Sequence, residues 1–200
     1  MNSREHILQA VTHSQPPGGS LPVLPEVYAG AHVAETFITC VETIGGLVVR
    51  VAGIQAVQQY IETWFPRPNR IIHTLPELKY GEFRHVRTAT GHDLETVDLA
   101  VLRGEFGVAE NGAIWLDDTT LPHRALPFIC DHLALLLDES ALVPTLHEAY
   151  QRLSGNPFSY GVFIAGPSKT ADIEQSLVIG AHGARSLTVF LLAHTAINPC

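Results

Sequence analysis

One polar loop near the C-terminus has residue types that could bind a small anion. A short apolar run breaks at a Gly-Pro pair, and Ser168, Lys169 and Thr170 follow it. Free N–H groups at the start of a helix, joined by an ammonium group and hydroxyls, can form a cradle for a carboxylate or a phosphate. The candidate ligand-binding residues of this loop are Gly166, Pro167, Ser168, Lys169, Thr170, Asp172 and Glu174.

The same loop also fits a purely structural role as the start of a helix. Ser168 or Thr170 can cap a helix whose first turn holds Asp172 and Glu174, because acidic residues complement the positive end of a helix dipole. Those carboxylates would oppose an anion bound there. The loop has neither the GxxxxGK[ST] nor the GxGxxG pattern, so it gives no nucleotide-binding fingerprint. The residues leave both interpretations open.

A second candidate site lies in residues 104–113, around an Asn-Gly pair between two apolar runs. Asn-Gly in this setting predicts a hairpin in which Glu110 begins a type I′ turn and faces water. Alternatively, Glu-Asn-Gly after a small residue is similar to the signature of class I CoA-transferases, whose glutamate is a nucleophile that forms an acyl-CoA adduct. Ala109 stands where that signature has serine. Glu110 is thus a tentative catalytic residue, and Asn111 a candidate ligand-binding residue.

The remaining reactive residue types show no recognisable catalytic or metal-binding pattern. The 11 histidines include no HxxxH or HExxH pair, and no GxSxG elbow is present. Cys40, Cys130 and Cys200 are far apart in the chain, which favours free thiols over a zinc or iron-sulfur site. We therefore expect no metal and no cofactor in this chain.

Composition predicts a soluble cytoplasmic protein. The 200 residues are 46% hydrophobic and 16% charged, with a net charge of −8 and no basic run, which argues against a nucleic-acid partner. The sequence shows no signal-peptide pattern, and no apolar stretch approaches the length of a membrane-spanning helix.

Hydrophobic periodicity predicts alternating strands and helices, which indicates a mainly parallel sheet with helices on both faces and a hairpin near 107–116. The predicted helices cover 3–13, where Ser3 can act as the cap, 31–44, 55–64 and 145–153. The predicted strands cover 47–51, 70–73, 97–102, 108–116, part of 128–137, 160–165 and 187–192. Prolines and glycines in 14–25 indicate an arm, so we divide the chain into a helix and arm at 1–30 and one α/β domain at 31–200.

The C-terminal half resembles a known family, the LUD domain of lactate-utilisation protein C (LutC/YkgG-like) proteins. The run 166–174, the Gly-Ala-His-Gly at 180–183 and the closing strand from Leu187 are the most specific part of the resemblance. Residues 109–113 align with the family pattern A-[DE]-[ST]-G-T, with Asn111 and Ala113 in place of hydroxyl residues. The segment from Arg124 through Leu126 and Pro127 to His132 is similar to the family's R…LLP…H.

The resemblance implies a Rossmann-like fold of the NagB/RpiA/CoA-transferase type. It also implies a role in oxidising L-lactate to pyruvate, with iron-sulfur clusters carried only by partner subunits and a small carboxylate as a possible ligand. Homo-oligomers are possible. We expect the ligand loop and Glu110 to meet at the carboxyl edge of the sheet. The alternatives are a CoA-transferase-like enzyme with Glu110 as nucleophile and a non-catalytic ligand-sensing or assembly module.

Overall fold

The protein forms a mixed α/β fold, described here from a computed structural model that covers residues 2–16, 18–20, 32–65, 70–83, 89–155, 157–170 and 178–193. The helices are α1 (Ser3–His13), α2 (Val33–Thr43), α3 (Ile54–Trp64), α4 (Leu126–Ile129) and α5 (Leu146–Leu153). The strands are β1 (Leu47–Val51), β2 (Ile71–His73), β3 (Glu82–Phe83), β4 (Leu99–Arg103), β5 (Phe106–Val108), β6 (Ala113–Asp117), β7 (His132–Asp138), β8 (Leu142–Val143), β9 (Gly161–Ile164), β10 (Lys169–Thr170), β11 (Val178–Ile179) and β12 (Ser186–Leu192).

A six-stranded parallel sheet is the centre of the molecule. Its strand order is β1-β12-β7-β4-β2-β3, and every neighbouring pair runs parallel. The central strands β7 and β12 are almost wholly apolar, as strands covered on both faces must be. One face packs on Phe37 and Val41 of α2, and the other packs on Val57 and Ile61 of α3. The prediction of an α/β fold with a mainly parallel sheet and helices on both faces is confirmed.

A second, four-stranded sheet contains segments that we expected in or beside the first. Its order is β8-β5-β6-β9, with β6 antiparallel to both β5 and β9. Ile114 and Ile164 face the main core, whereas Trp115 and Phe163 face a smaller core beneath α5. Strands that are apolar on both faces have the same pattern in either sheet, so the sequence pattern does not separate the two sheets.

Most predicted element positions agree with the structure, and the differences are local. The strand predicted at 47–51 is β1, and the helices predicted at 31–44, 55–64 and 145–153 are α2, α3 and α5 with small changes at their ends. The cap of α1 is Asn2 rather than Ser3. The Asn2 side chain accepts a hydrogen bond from the Glu5 N–H at 2.9 Å, and Glu5 accepts one from the Asn2 N–H at 3.0 Å. The division of the chain at residue 30 stays a prediction.

Close packing between β6 and β9 generates the first testable prediction. A β-carbon on Gly161 would lie 2.1 Å from Cζ2 of Trp115, so the indole would have to shift. Because overpacking usually costs about 1–3 kcal/mol, Gly161→Ala should lower the urea midpoint of unfolding without changing the slope.

Gly91→Ala is the matched control. Gly91 has an ordinary φ of −56°, and no atom lies within 4 Å of the position that an added β-carbon would take. The free energy of unfolding of this variant should therefore change by no more than about 0.5 kcal/mol. Equal midpoints for the two variants would contradict this account of the Trp115 contact.

Candidate functional site

The two motifs chosen from the sequence lie side by side at one end of the second sheet. The pairing of β6 with β9 ends at Ile114 opposite Ile164, so the loop before β6 and the loop after β9 leave the sheet together. Gly112 (φ +69°) and Gly166 (φ +74°) adopt the left-handed conformation that favours glycine. Both loops therefore start from the same corner of the fold.

Both glycines press against the C-terminal end of α2. A β-carbon on Gly112 would lie 2.9 Å from the backbone N of Val41, and one on Gly166 would lie 2.9 Å from the carbonyl oxygen of Ile44. Each contact is too short for a real β-carbon, so glycine is required at both positions by space as well as by φ. The helix end holds the two loops in place relative to each other.

The loop after β9 is tied to residues 180–184 by backbone hydrogen bonds. The Ser168 N–H donates to the carbonyl of Ala184 and the Gly180 N–H donates to the carbonyl of Ser168, both at 2.9 Å. The strands β10 and β11 then pair antiparallel, with Lys169 opposite Ile179. These bonds join the two stretches of sequence that carry the strongest resemblance.

The helix predicted to follow this loop lies outside the described residues. Ser168 does not cap a helix, because Lys169 and Thr170 after it are extended and paired with β11, and its N–H already has a partner. The other two candidate binding residues, Asp172 and Glu174, lie outside the described residues. An anion cradle made of free helix N–H groups does not describe the part of the loop at 166–170.

The loop also lies at the opposite edge of the main sheet from the one expected. Gly166 contacts Ile44 just before β1, and Ser168 bonds to Ala184 just before β12. Both contacts are at the amino ends of parallel strands. The expected carboxyl edge is thus corrected to the amino edge, because β9 belongs to the second sheet and does not run with the main strands.

A cleft of about 210 Å³ opens beside this loop. Its walls include Pro127 and Phe128 of α4, Phe163 of β9, and the polar side chains of Ser168 and His182. Pockets for drug-sized ligands usually measure ~300–1,000 Å³, so this volume suits a small molecule better than a coenzyme A ester. An imidazole and a hydroxyl beside aromatic walls can donate hydrogen bonds to a small acid.

The Lys169 side chain lies near the C-terminal end of α2 at the same corner. Its Nζ lies 3.7 Å from the place where a β-carbon of Gly45 would stand, just beyond the C-terminus of α2. A cation in this position is favoured by the negative end of the helix dipole. Lys169 therefore stabilises the junction of α2 with the loop whether or not it also meets a ligand.

Glu110 sits in a four-residue loop, so the predicted two-residue type I′ turn is wrong. Val108 pairs with Ala113, which leaves Ala109 to Gly112 unpaired, and the Gly112 N–H closes the loop onto the Val108 carbonyl at 2.9 Å. The Asn111 side chain accepts from the Ala113 N–H at 3.0 Å, which gives Asn111 a local turn-forming role.

The Glu110 side chain is exposed, and its backbone holds the loop to its neighbours. Its N–H donates to the Pro144 carbonyl at 3.1 Å, and its carbonyl accepts from Cys40 Sγ at 3.5 Å. The carboxylate is thus presented to solvent at the same corner as the 166–170 loop. Its proposed role as a nucleophile stays a prediction.

A second and larger cleft of about 420 Å³ lies between β6 and α4, at residues that form no recognisable site motif in the sequence. Asp118, Leu121, Pro122, His123 and Arg124 line it. The Ser159 hydroxyl donates to the Asp118 carboxylate, and this bond lowers the pKa of Asp118 below its ordinary value. The adjacent His-Arg pair was the available signal in the sequence, where Arg124 contributed only to the R…LLP…H resemblance.

The sequence matches the LUD domain family over residues 34–192. The chain belongs to the LUD domain family. The matched range extends from the second residue of α2 to the end of β12 and contains every lining residue given above for the two clefts. Within the part of the chain that the structure describes, no group of three or more His, Cys, Asp or Glu residues could hold a metal ion.

Several relatives of this LUD-domain chain have similar sequences or structures. It is 30% identical over 119 residues to an uncharacterized protein of Neisseria meningitidis and 33% identical over 95 residues to lactate utilization protein C of Bacillus pumilus. These matches cover 58% and 44% of this chain but only 51% and 40% of the relatives, so the chain spans about half their length or less.

The same fold occurs in a solved structure. A DUF162 family protein from Deinococcus radiodurans superposes with a TM-score of 0.62 at 19% identity, covering 81% of this chain and 97% of that one. At this identity the likeness shows the fold alone. None of the helices described for the LUD-domain chain has the length and apolar character needed to cross a membrane.

Gly166→Ala should loosen the corner that holds both loops. Gly155→Ala is the matched control, because Gly155 also has a positive φ (+84°) but has no atom within 4 Å of the added β-carbon. Both variants should lose about 1–2 kcal/mol from the left-handed backbone, and Gly166→Ala should lose a further ~1–3 kcal/mol from its clash with the Ile44 carbonyl. Urea unfolding measures the difference in the free energy of unfolding. Equal losses for the two variants would show that the contact with the Ile44 carbonyl contributes nothing to stability.

Cys130 should resist alkylation in the native protein. Burial raises the pKa of the Cys130 thiol to about 12, and the side chain is only 1% exposed. Because the thiolate is the nucleophile, iodoacetamide at mildly alkaline pH should modify Cys130 only after unfolding in concentrated guanidinium. Peptide mapping measures this, and rapid labelling of native Cys130 would contradict the packing around it.

Proposed function

We propose that this LUD-domain protein is a component of a system that oxidises L-lactate to pyruvate. The support is its similarity to proteins named lactate utilization protein C, at 33% identity in Bacillus pumilus and 30% in Halalkalibacterium halodurans. The structural observation that supports the proposal is that the family-like segments 109–113, 166–170 and 180–183 lie together at one corner. The cleft beside this corner is lined by residues of two of these segments, including Ser168 and His182.

The proposed role is that of a subunit without an iron-sulfur cluster. Oxidation of lactate to pyruvate releases two electrons and two protons, so the reaction needs an electron acceptor. Cys40, Cys130 and Cys200 do not have the close spacing of cluster ligands. We assign the electrons to iron-sulfur partner subunits, with this chain contributing a binding surface or a small-carboxylate site.

The cleft beside the 166–170 loop is the place proposed for that contact. Ser168 and His182 supply hydrogen-bond donors next to Phe128, which is 43% exposed. An exposed aromatic residue beside polar groups suits either a small acid or a side chain of a partner subunit. The volume of about 210 Å³ limits a free ligand at this place to a few heavy atoms.

Growth on lactate tests the proposal in the organism that encodes this chain. Deleting the gene should abolish growth on L-lactate and leave growth on pyruvate normal. Complementation with His182→Ala should restore growth poorly, because the exposed His182 imidazole lies in the cleft. His92→Ala is the matched control, since the side chain of His92 is 96% exposed and His92 does not line the cleft.

Two outcomes bear directly on the proposal. Normal lactate growth of the deletion strain, in the absence of a second copy of the gene, would refute it. Co-purification of the tagged protein with iron-sulfur proteins encoded beside it would support the assignment of partners. Loss of co-purification with His182→Ala but not with His92→Ala would place the partner at the cleft.

Glu110→Gln separates the lactate proposal from CoA-transferase chemistry. If Glu110 only shapes its loop, this variant should restore growth like the wild type, because the backbone bonds to Pro144 and Cys40 do not involve its carboxylate. An acyl-enzyme would instead give a mass adduct at Glu110 after incubation with acyl-CoA and borohydride. That adduct would favour the CoA-transferase-like alternative.

A further inference from the structure

The cleft at Arg124 is formed by a loop after β6 that is fixed by hydrogen bonds within itself and to the residue before β9. The Asp117 carboxylate accepts from the Thr119 N–H at 2.9 Å, and the Leu121 N–H donates to the Asp117 carbonyl at 2.8 Å. The Asp118 N–H donates to the carbonyl of Tyr160 at 3.1 Å, which joins this loop to the start of β9. The cleft walls are therefore preorganised by backbone bonds.

The Arg124 guanidinium is oriented although it is exposed. Its carbon lies 4.9 Å from the centre of the Tyr160 ring, and one of its nitrogens donates to Ser159 Oγ at 3.1 Å. The Ser159 hydroxyl donates its own hydrogen to Asp118, so its oxygen can accept from Arg124. A guanidinium has five N–H donors, and within the described residues Arg124 forms no ion pair within 4.0 Å, so donors remain for a ligand.

His123 adds a second donor with a defined tautomer. Its Nδ1 accepts from the Ala125 N–H at 3.1 Å, which places the ring proton of neutral His123 on Nε2. Asp118 is the acceptor of the cleft, and its hydrogen bonds from Ser159 lower its pKa below the ordinary value for an aspartate. The cleft therefore combines the guanidinium of Arg124, the imidazole N–H of His123 and the carboxylate of Asp118.

We propose that this cleft binds a small carboxylic acid that also has a hydroxyl group. The planar fork of Arg124 matches a carboxylate in two parallel hydrogen bonds. The hydroxyl can donate to Asp118 and accept from His123, whereas a simple acid leaves both without a ligand partner. The Asp118 charge opposes a second negative charge, so a phosphate is a poorer match than a monocarboxylate.

This site is separate from the lactate proposal in its evidence. Its ligand class follows from the donors and acceptors of Arg124, His123 and Asp118, and not from any relative. L-Lactate is one member of the class. The binding site is nevertheless tested by ligand titration of the purified protein, which needs no growth phenotype. A failure of the growth test would leave the binding result unchanged.

Titration of the purified full chain with glycolate, acetate and inorganic phosphate tests the site. Isothermal titration should show saturable glycolate binding, with acetate at least about tenfold weaker because it cannot pair with Asp118, and phosphate also weaker. Arg124→Gln should weaken glycolate binding at least about tenfold. Arg103→Gln is the matched control, since Arg103 is an exposed arginine that does not line the cleft, and it should bind like the wild type.

Asp118→Asn provides a second readout that a general loss of structure would not produce. It should narrow the preference for glycolate over acetate while acetate binding persists, because an amide oxygen is a weaker acceptor for the ligand hydroxyl than a carboxylate but can still accept from Ser159. Equal binding of glycolate and acetate by the wild type, tighter binding of phosphate, or unchanged glycolate binding by Arg124→Gln would each overturn the proposal.

Discussion

The close contact of two glycine loops with the C-terminal end of α2 is the constraint on which this corner of the protein depends. Gly112 and Gly166 each approach the backbone at Val41 and Ile44 to a distance that leaves no room for a β-carbon. The helix is in turn fixed by Phe37 and Val41, which are fully buried against the main sheet. The positions of these two loops of the second sheet therefore depend on the packing of α2 in the core of the first sheet.

The packing of these loops determines which of their polar groups can still bind a ligand. The backbone of the 166–170 loop is used internally, since Ser168 bonds to Gly180 and Ala184 through both of its peptide groups. A ligand beside the described part of this loop therefore meets side chains, such as those of Ser168 and His182, in place of the Ser168 peptide groups. The difference is physical, because paired peptide dipoles no longer attract an anion as an open helix terminus does.

Local patterns in the sequence predicted the elements well, whereas their assembly required information that no local pattern contains. The periodicity of residues 31–44 and 55–64 was enough for α2 and α3, because an amphipathic face specifies a helix on its own. The assignment of β9 to the second sheet was not accessible, since Val162 and Ile164 face one core while Phe163 faces another. The wrong sheet then placed the loop at the wrong edge.

The candidate site shows the same division between local and long-range information. The motifs around Glu110 and Ser168 were visible as unusual runs, but their meeting depends on the antiparallel pairing of β6 with β9. The Arg124 cleft is not predictable from local sequence for a similar reason. Its acceptor Asp118 and its positioning residue Ser159 are 41 residues apart, and only the same strand pairing brings them together.

A net charge of −8 does not prevent either cleft from receiving an acid. Charges farther away than about 8 Å are largely screened at physiological ionic strength, so the groups within a cleft decide what it binds. The Arg124 cleft is lined by one guanidinium and one carboxylate, which together favour a ligand with a single negative charge and a hydrogen to donate. The same few side chains therefore select a ligand both by the sign of its charge and by its hydrogen-bonding groups. The acidic surface elsewhere contributes only a weak, screened potential at the cleft.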